Sequence, residues 1–126
     1  MPEPESDAGP LLFTCAYGAD DPERATVPFI AASTAAVSGQ QAIVVCTAEA
    51  VRIGVKGHAE TIADPDLTPL ATLMQLLLGN GGKLWLCSAC TNKRDISEDD
   101  LIDGAQIVGA AQIVEALAAG RSISLS

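Results

Sequence analysis

The residues Lys83-Leu84-Trp85-Leu86-Cys87-Ser88-Ala89-Cys90 place a short apolar run directly before two cysteines in a Cys-x-x-Cys spacing. Such a run followed by small residues is typical of a buried strand that ends where a loop or helix begins. A thiol at that point can meet the unpaired N–H groups of a following helix, which favour the thiolate over the thiol. The sequence therefore predicts that the chemistry lies at Cys87 and Cys90.

Short apolar runs of the same kind recur earlier in the chain and alternate with longer helical patterns. Leu11–Cys15 is the first run, and the second, Gln41–Cys46, is centred on three β-branched residues. Strands separated by helices are typical of βαβ units, in which the strands pair in parallel. The pattern therefore predicts an α/β protein with a parallel sheet, whose third clear strand ends before Cys87.

Capping signals and hydrophobic periodicity predict the helices between these strands. The predicted segments are Asp20–Ser38, Glu49–Ile53 after a Thr47 cap, a helix opened by Asp66–Pro69, a short segment capped by Ser97, and Ala105–Ala119. Pro28 lies inside the first helix and is expected to kink it or delay its start. A terminal strand is predicted at Ile123 and Leu125.

The composition limits the classes of partner. The formal net charge is −9, which argues against nucleic acid and anionic membranes because both require a basic face. No apolar run reaches the roughly 18 residues of a transmembrane helix, and Met1–Pro10 is acidic, unlike a secretory signal. We therefore expect a cytoplasmic protein with a disordered acidic tail over 1–9 and a folded domain over 10–126.

Three of the predicted strands end in cysteine, at Cys15, Cys46 and Cys87. The carboxyl ends of parallel strands meet at one rim of the sheet, where α/β proteins bind ligands. The strand order is open, so the three sulfurs are either neighbours or as much as about 15 Å apart. We interpret Cys15 and Cys46 as buried strand residues and keep them as secondary rim candidates. His58 is a third secondary candidate, in a glycine-flanked connection.

The order of these motifs resembles the DsrE-like family of sulfur-relay proteins. The resemblance rests on Asp21–Thr26 at a helix start, Thr47–Val51 after a strand, and Cys87 and Cys90 followed by Arg94, and it covers about residues 10 to 126. It implies a single-domain, three-layer α/β/α fold with a mainly parallel sheet of about five strands. It also implies that the strand-end cysteine, here Cys87, accepts sulfur as a persulfide, with Cys90 as a second thiol.

A persulfide carrier needs a thiolate, because sulfur moves by nucleophilic attack on sulfur. A free cysteine, with a pKa near about 8.5, is mostly protonated in the cytoplasm. Helix N–H groups and the nearby cations Lys93 and Arg94 are the candidates for lowering that pKa, while the acidic residues from Asp95 onward oppose it. Many family members have glycine after the basic residue, whereas this chain has Asp95.

Three classes of function remain open. The first is a sulfur-transfer protein in which Cys87 carries the persulfide and Cys90 releases it by forming a disulfide. The second is a thiol–disulfide or peroxide-related redox protein that uses the same pair. The third is a non-catalytic oligomeric or metal-binding module, in which a zinc ion would need further ligands from Cys15, Cys46 or His58. We rank them in this order and expect neither a cofactor nor a resident metal.

The resemblance also implies assembly into a homotrimer or a homohexamer, with sulfur donor and acceptor proteins as partners. The mean hydropathy of +0.30 independently favours association through apolar surface. We expect this surface to include Val51–Val55 and Trp85.

Overall fold

Five parallel strands form one sheet in the computed structural model, which describes residues 9–125. The strands are β1 Leu11–Cys15, β2 Ala42–Cys46, β3 Lys83–Cys87, β4 Ala105–Val108 and β5 Arg121–Ser124. Their order across the sheet is β4-β3-β2-β1-β5, and every neighbouring pair is parallel. The predicted parallel α/β fold is confirmed. The disordered acidic tail was predicted over residues 1–9. All of it except Gly9 lies outside the described residues.

Helices cover both faces of this sheet. They are α1 Pro22–Val37, α2 Leu70–Gly79, α3 Ser88–Lys93 and α4 Ala110–Ala119, with 3₁₀ segments at Ala48–Gly54, Ala59–Thr61 and Glu98–Asp100. Side chains of α1 and α2 pack on one face, and α4 packs on the other against a smaller cluster around Trp85. No helix in the part of the chain that the structure describes has the length and apolar character needed to cross a membrane.

The central strand β2 shows why the apolar runs of this sequence are continuous rather than alternating. All five of its residues are buried. Val44 faces α1 and α2, while its neighbours Ile43 and Val45 belong to the cluster under α4. A parallel strand that is covered on both faces has no solvent side on which polar residues are favourable.

The first helix runs through its internal proline. Asp21 caps it by accepting a hydrogen bond from the Arg24 N–H at 3.2 Å, and Pro22 occupies the first turn. Pro28 lies within the continuous span Pro22–Val37, so the helix begins where the capping signal predicted, without the delayed start that was one of the two expectations. Gly39, at φ 93°, follows its end.

The prediction of one long helix over Ala105–Ala119 is wrong. Ala105–Val108 is the edge strand β4, Gly109 follows it, and only Ala110–Ala119 is helical. The helical spacing of apolar residues continues through this stretch, but β4 pairs with β3 in register, with Cys87 opposite Val108. Tertiary pairing therefore overrides local periodicity. The predicted terminal strand is confirmed as β5, which pairs with β1.

The expected apolar surface also lies elsewhere. Val51 and Ile53 are fully buried because the 3₁₀ segment Ala48–Gly54 packs against the sheet. Trp85 is only 9% exposed because it packs in the cluster under α4. The most exposed large apolar side chain is Val114 of α4, at 65%. No residue of α4 is fully buried. The apolar surface that is free to contact another molecule therefore includes this helix.

We expect Val44→Asp to prevent folding. Val44 is 0% exposed in the central strand, and an unpaired buried charge costs several kcal/mol, which is comparable with the whole stability of a small domain. The matched control is Val37→Asp, since that side chain lies at the end of α1 and is 58% exposed. Circular dichroism during heating should show a cooperative transition for the control only. A soluble Val44→Asp protein with a cooperative transition would mean that this sheet is misassigned.

Candidate functional site

The carboxyl ends of β1, β2 and β3 lie side by side, so the three strand-end cysteines are on neighbouring strands. Cys15 is directly opposite Cys46, but Cys46 is opposite Leu86, which leaves Cys87 one residue further along. Because successive side chains of a strand point to opposite faces, Cys87 does not share the face of the other two. The rim therefore carries two separate thiol pairs, Cys15 with Cys46 and Cys87 with Cys90.

Cys15 and Cys46 form the interior pair. They are 1% and 0% exposed, and Cys15 Sγ donates toward the carbonyl oxygen of Tyr17 at 3.4 Å. Full burial raises the pKa of Cys46 well above its usual value, and its hydrogen bond to Cys15 raises it further while lowering the pKa of Cys15. These two thiols are closed to solvent, as expected of strand residues.

Cys87 occupies the junction between β3 and α3, where it is partly exposed. Partial burial acts to raise the pKa of its thiol. The backbone N–H groups of Cys90 and Ala89 and the thiol of Cys90, at the start of α3, act in the opposite direction and outweigh that effect, so the pKa is lowered below its usual value. This site favours a thiolate that solvent and small reagents can reach.

Cys90 lies one turn into α3, on the same side as Cys87. Its Sγ accepts a hydrogen bond from the backbone N–H of Ala48 at 3.1 Å. Ala48 is the second residue after β2 and has a φ of 50°, in the left-handed region that non-glycine residues rarely adopt. The loop after β2 therefore contacts the second thiol directly.

An ion-pair network ties this loop to α3. Arg94 Nε lies 3.1 Å from Glu49 Oε1, and Arg94 Nη1 donates to the carbonyl oxygen of Cys90 at 3.2 Å. Arg52 Nε lies 2.7 Å from the other oxygen of Glu49. Of the two cations named as candidates for lowering the pKa of Cys87, Arg94 bonds to Glu49 and the Cys90 carbonyl oxygen, and Lys93 is exposed. The pKa of the Cys87 thiol is lowered by groups of Cys90 and Ala89.

His58 is part of a different region. Its N–H donates to the carbonyl oxygen of Val55, and its own carbonyl oxygen accepts a hydrogen bond from the Thr61 hydroxyl at 2.6 Å. The structure therefore uses its backbone to close a turn and does not join it to either thiol pair through a hydrogen bond. Within residues 9–125, no three side chains of His, Cys, Asp or Glu come together in a way that could hold a metal ion.

Asp95 adopts a left-handed backbone conformation, which glycine adopts more readily than other residues. It has a φ of 56°, and the N–H of the next residue, Ile96, returns to the carbonyl oxygen of Thr91 at 3.0 Å. This is the left-handed ending that glycine usually supplies, and aspartate tolerates it better than most residues do. The chain keeps the helix ending with a different residue.

Sequence reasoning missed the roles of Ala48, Glu49 and Gly18. The sequence predicts a Thr47 cap and a helix over Glu49–Ile53 but no contact from this segment to the cysteines, and an alanine carries no signal for positive φ. Gly18 lies under the same loop, because a Cβ atom there would be 2.9 Å from the carbonyl oxygen of Glu49. A charged residue three positions after a buried strand is the one available signal for Glu49.

Comparisons with known proteins agree with this architecture. A family model described as the DsrE/DsrF-like family matches residues 10–123. The YchN protein of Escherichia coli has a similar structure, with a TM-score of 0.75 at 17% identity over 92% of this chain and 98% of that one. A protein of unknown function from Methanobacterium thermoautotrophicum gives a TM-score of 0.71 at 18% identity over 91% and 97% of the two chains.

Two curated relatives are both uncharacterized proteins. The one from Methanocaldococcus jannaschii is 24% identical over 100 residues, which are 79% of this chain but only 36% of the relative. The one from Methanopyrus kandleri is 28% identical over 93 residues, or 73% of each chain. This chain therefore spans about a third of the first relative's length.

We expect the helix ending at Asp95 to be sensitive to backbone preference rather than to charge. Asp95→Val should lower the free energy of unfolding by about 1–2 kcal/mol, because a β-branched residue is disfavoured at positive φ. Asp95→Asn is the matched control and should stay within about 0.5 kcal/mol of the parent. Urea unfolding measures both, and equal stability of the two variants would contradict the assignment.

Proposed function

Since the chain belongs to the DsrE/DsrF-like family, we propose that it is a sulfur-transfer protein that carries sulfur as a persulfide on Cys87. The observation that carries this proposal is the accessible strand-end thiol whose pKa is lowered by backbone N–H groups and by Cys90. Sulfur transfer requires a thiolate that is reactive at neutral pH and open to a partner. Of the four cysteines, the interior pair Cys15 and Cys46 lacks that access.

The loading step exchanges one sulfur–sulfur bond for another. The Cys87 thiolate attacks the outer sulfur of a donor persulfide, R–S–SH. The new bond makes Cys87–S–SH, the donor bond breaks, and its electron pair leaves on the donor thiolate, R–S⁻. No external oxidant or reductant is needed, and the donor is a persulfide of a small thiol or of a partner protein.

Two release steps use the same groups. An acceptor thiolate that attacks the outer sulfur takes it as a new persulfide and leaves Cys87 as a thiolate. Alternatively, the Cys90 thiolate attacks the Cys87 sulfur, which forms a Cys87–Cys90 disulfide and expels hydrosulfide. In that case the two cysteines are oxidised by two electrons and the released sulfur is reduced by two. Cys87 precedes α3 and Cys90 lies in its first turn, and this i, i+3 spacing supports the second route.

The proposed compartment is the cytoplasm. All four cysteines are free thiols, and a reducing compartment keeps them in that state. The redox alternative would use the same pair as a dithiol and disulfide without carrying sulfur. The mass of the protein after reaction separates the two functions.

We propose that the protein assembles as a homotrimer or homohexamer. Support comes from α4, whose side chains are apolar or small over most of its length although none is fully buried. Val114 on this helix is 65% exposed. A chain with a net charge of −9 repels its copies through charged surface, so self-association favours an uncharged face.

Incubation with a low-molecular-weight persulfide should add about 32 Da, the mass of one sulfur atom, to the protein under non-reducing conditions. Cys87→Ser should abolish this adduct, because it removes the accepting thiol. Cys90→Ser should keep the adduct and slow its loss, because it removes the disulfide-forming release. Intact-mass spectrometry over time measures both.

Cys46→Ser is the matched control for these variants, since it removes a thiol that solvent does not reach. It should lower stability through its buried hydroxyl and leave loading at Cys87 intact. If Cys87→Ser still loads while Cys90→Ser does not, the two roles are exchanged. If neither change alters loading, or if the parent only loses about 2 Da by disulfide formation, the sulfur-carrier function is wrong.

The solution mass tests the assembly. Light scattering at micromolar concentration should return three or six times the 12.9 kDa of one chain. Apolar association weakens little with salt, so the mass should persist as ionic strength rises. A mass near that of a single chain would contradict the proposed oligomer.

A further inference from the structure

Arg94 joins two segments that lie far apart in the chain. Its Nε lies 3.1 Å from Glu49 Oε1, 45 positions earlier, and its Nη1 donates to the carbonyl oxygen of Cys90 at 3.2 Å. The side chain of Arg94 is only 15% exposed. A guanidinium that is largely removed from water is stable only where its donors find partners. Glu49 and Cys90 supply these partners from two different segments.

The two partners of Arg94 lie on either side of a third contact. The backbone N–H of Ala48, the residue before Glu49, donates to Cys90 Sγ at 3.1 Å. Arg94 therefore binds the neighbour of the donor residue and the backbone of the acceptor residue at the same time. Its two hydrogen bonds hold the loop after β2 and the Cys90 sulfur together.

The helix that carries Cys90 depends on contacts of this kind. It has six residues, Ser88–Lys93, and an isolated helix of that length is not stable in water. In a longer helix the N–H of Arg94 would bond to the Cys90 carbonyl, but here it donates to the carbonyl oxygen of Thr91 at 3.0 Å. The Arg94 guanidinium binds the Cys90 carbonyl instead, as basic side chains do at the carboxyl ends of helices.

We propose that Arg94 is a positioning residue that holds Cys90 in place for the release step. This inference rests on the proposed function, in which the Cys90 thiolate attacks the sulfur of Cys87. Cys87 and Cys90 are three positions apart where α3 begins, and residues at this spacing share a face. An attacking group that is already oriented toward its target reacts faster than a mobile one, because less entropy is lost in reaching the transition state. Arg94 acts through Cys90, since its contacts are with a carbonyl oxygen and a carboxylate.

The contribution of Arg94 is geometric, because its charge is balanced by Glu49. The other oxygen of that carboxylate binds Arg52 Nε at 2.7 Å. The pair of Glu49 with Arg52 is internal to the 3₁₀ segment Ala48–Gly54, whereas the pair of Glu49 with Arg94 joins that segment to the end of α3. The two arginines therefore share one carboxylate, and of the two it is Arg94 that also binds the Cys90 backbone.

Glutathione disulfide tests this inference without any persulfide. The Cys87 thiolate attacks it, which forms a mixed disulfide and releases one glutathione thiolate. Cys90 then attacks the Cys87 sulfur, which forms the Cys87–Cys90 disulfide and expels the second glutathione thiolate, so the cysteine pair loses the two electrons that the glutathione gains. Intact-mass spectrometry after acid quenching follows the adduct. Arg94→Gln should leave the formation of the adduct unchanged and slow its loss by about tenfold.

Arg52→Gln is the matched control, because it removes an arginine from the same carboxylate and keeps both hydrogen bonds of Arg94. It should leave both rates unchanged. Arg94→Lys keeps the charge but loses the planar fork that places two nitrogens on two partners, so it should slow the loss as Arg94→Gln does. In a Cys90→Ser protein, Arg94→Gln should cause no further change in the lifetime of the adduct. If the Arg94 variants do not fold, Glu49→Gln, which breaks the ion pair from the other side, should slow the loss in their place.

The inference is overturned if Arg94→Gln loses the adduct as fast as the parent does, or if Arg52→Gln slows the loss equally. It is also overturned if formation and loss slow together, because that result would mean a general loss of structure. The glutathione reaction needs no sulfur donor, so the two proposals fail separately. A parent that resolves the glutathione adduct but takes up no sulfur would refute the sulfur-carrier function alone. A parent that loads and releases sulfur no faster than Arg94→Gln does would refute this inference alone.

Discussion

The register between β2 and β3 is the constraint on which the site depends. Because Cys46 lies opposite Leu86, β3 reaches one residue further than its neighbour, and Cys87 emerges at the junction with α3. The same register brings the loop after β2 beside the first turn of that helix. A shift by one residue would exchange the faces of Leu86 and Cys87 and would bury the reactive thiol. The pairing of β2 with β3, which builds the core, therefore also leaves Cys87 partly exposed to solvent.

Backbone dipoles, rather than net positive charge, surround the Cys87 thiol, whose pKa is lowered. The protein carries a formal charge of −9, and Arg94, which directly follows α3, is paired with Glu49. Backbone N–H groups at the start of α3 act over a short range, where solvent and salt screen them little. An acidic surface can therefore coexist with a stabilised thiolate, and the arginine serves to join two segments.

Two non-glycine residues with positive φ stand at the two ends of this arrangement. Ala48 follows β2 and Asp95 follows α3, and they are the ones with this conformation among residues 9–125. Asp95 ends the helix that presents the cysteines, and Ala48 contacts the second cysteine from the neighbouring loop. Backbone strain at both points is offset by the packing of the sheet below and by the ion pairs of Glu49. Both strained residues therefore lie next to the segment that carries Cys87 and Cys90.

The sequence by itself determined the class of fold and the position of Cys87 and Cys90 at the end of a strand. Apolar runs such as Leu11–Cys15, separated by capped helices, require a parallel sheet that is covered on both faces, and a Cys-x-x-Cys after such a run lies at the rim. These inferences depend on local periodicity and on chain order, which a sequence displays directly.

Only the tertiary structure decided that Ala105–Val108 is a strand, because that choice depends on a free edge beside β3. It also decided that Cys87 points away from Cys46 and that Ala48 donates to Cys90. A one-residue difference in register and a contact across 42 positions leave no local trace, since they arise from how separate elements pack.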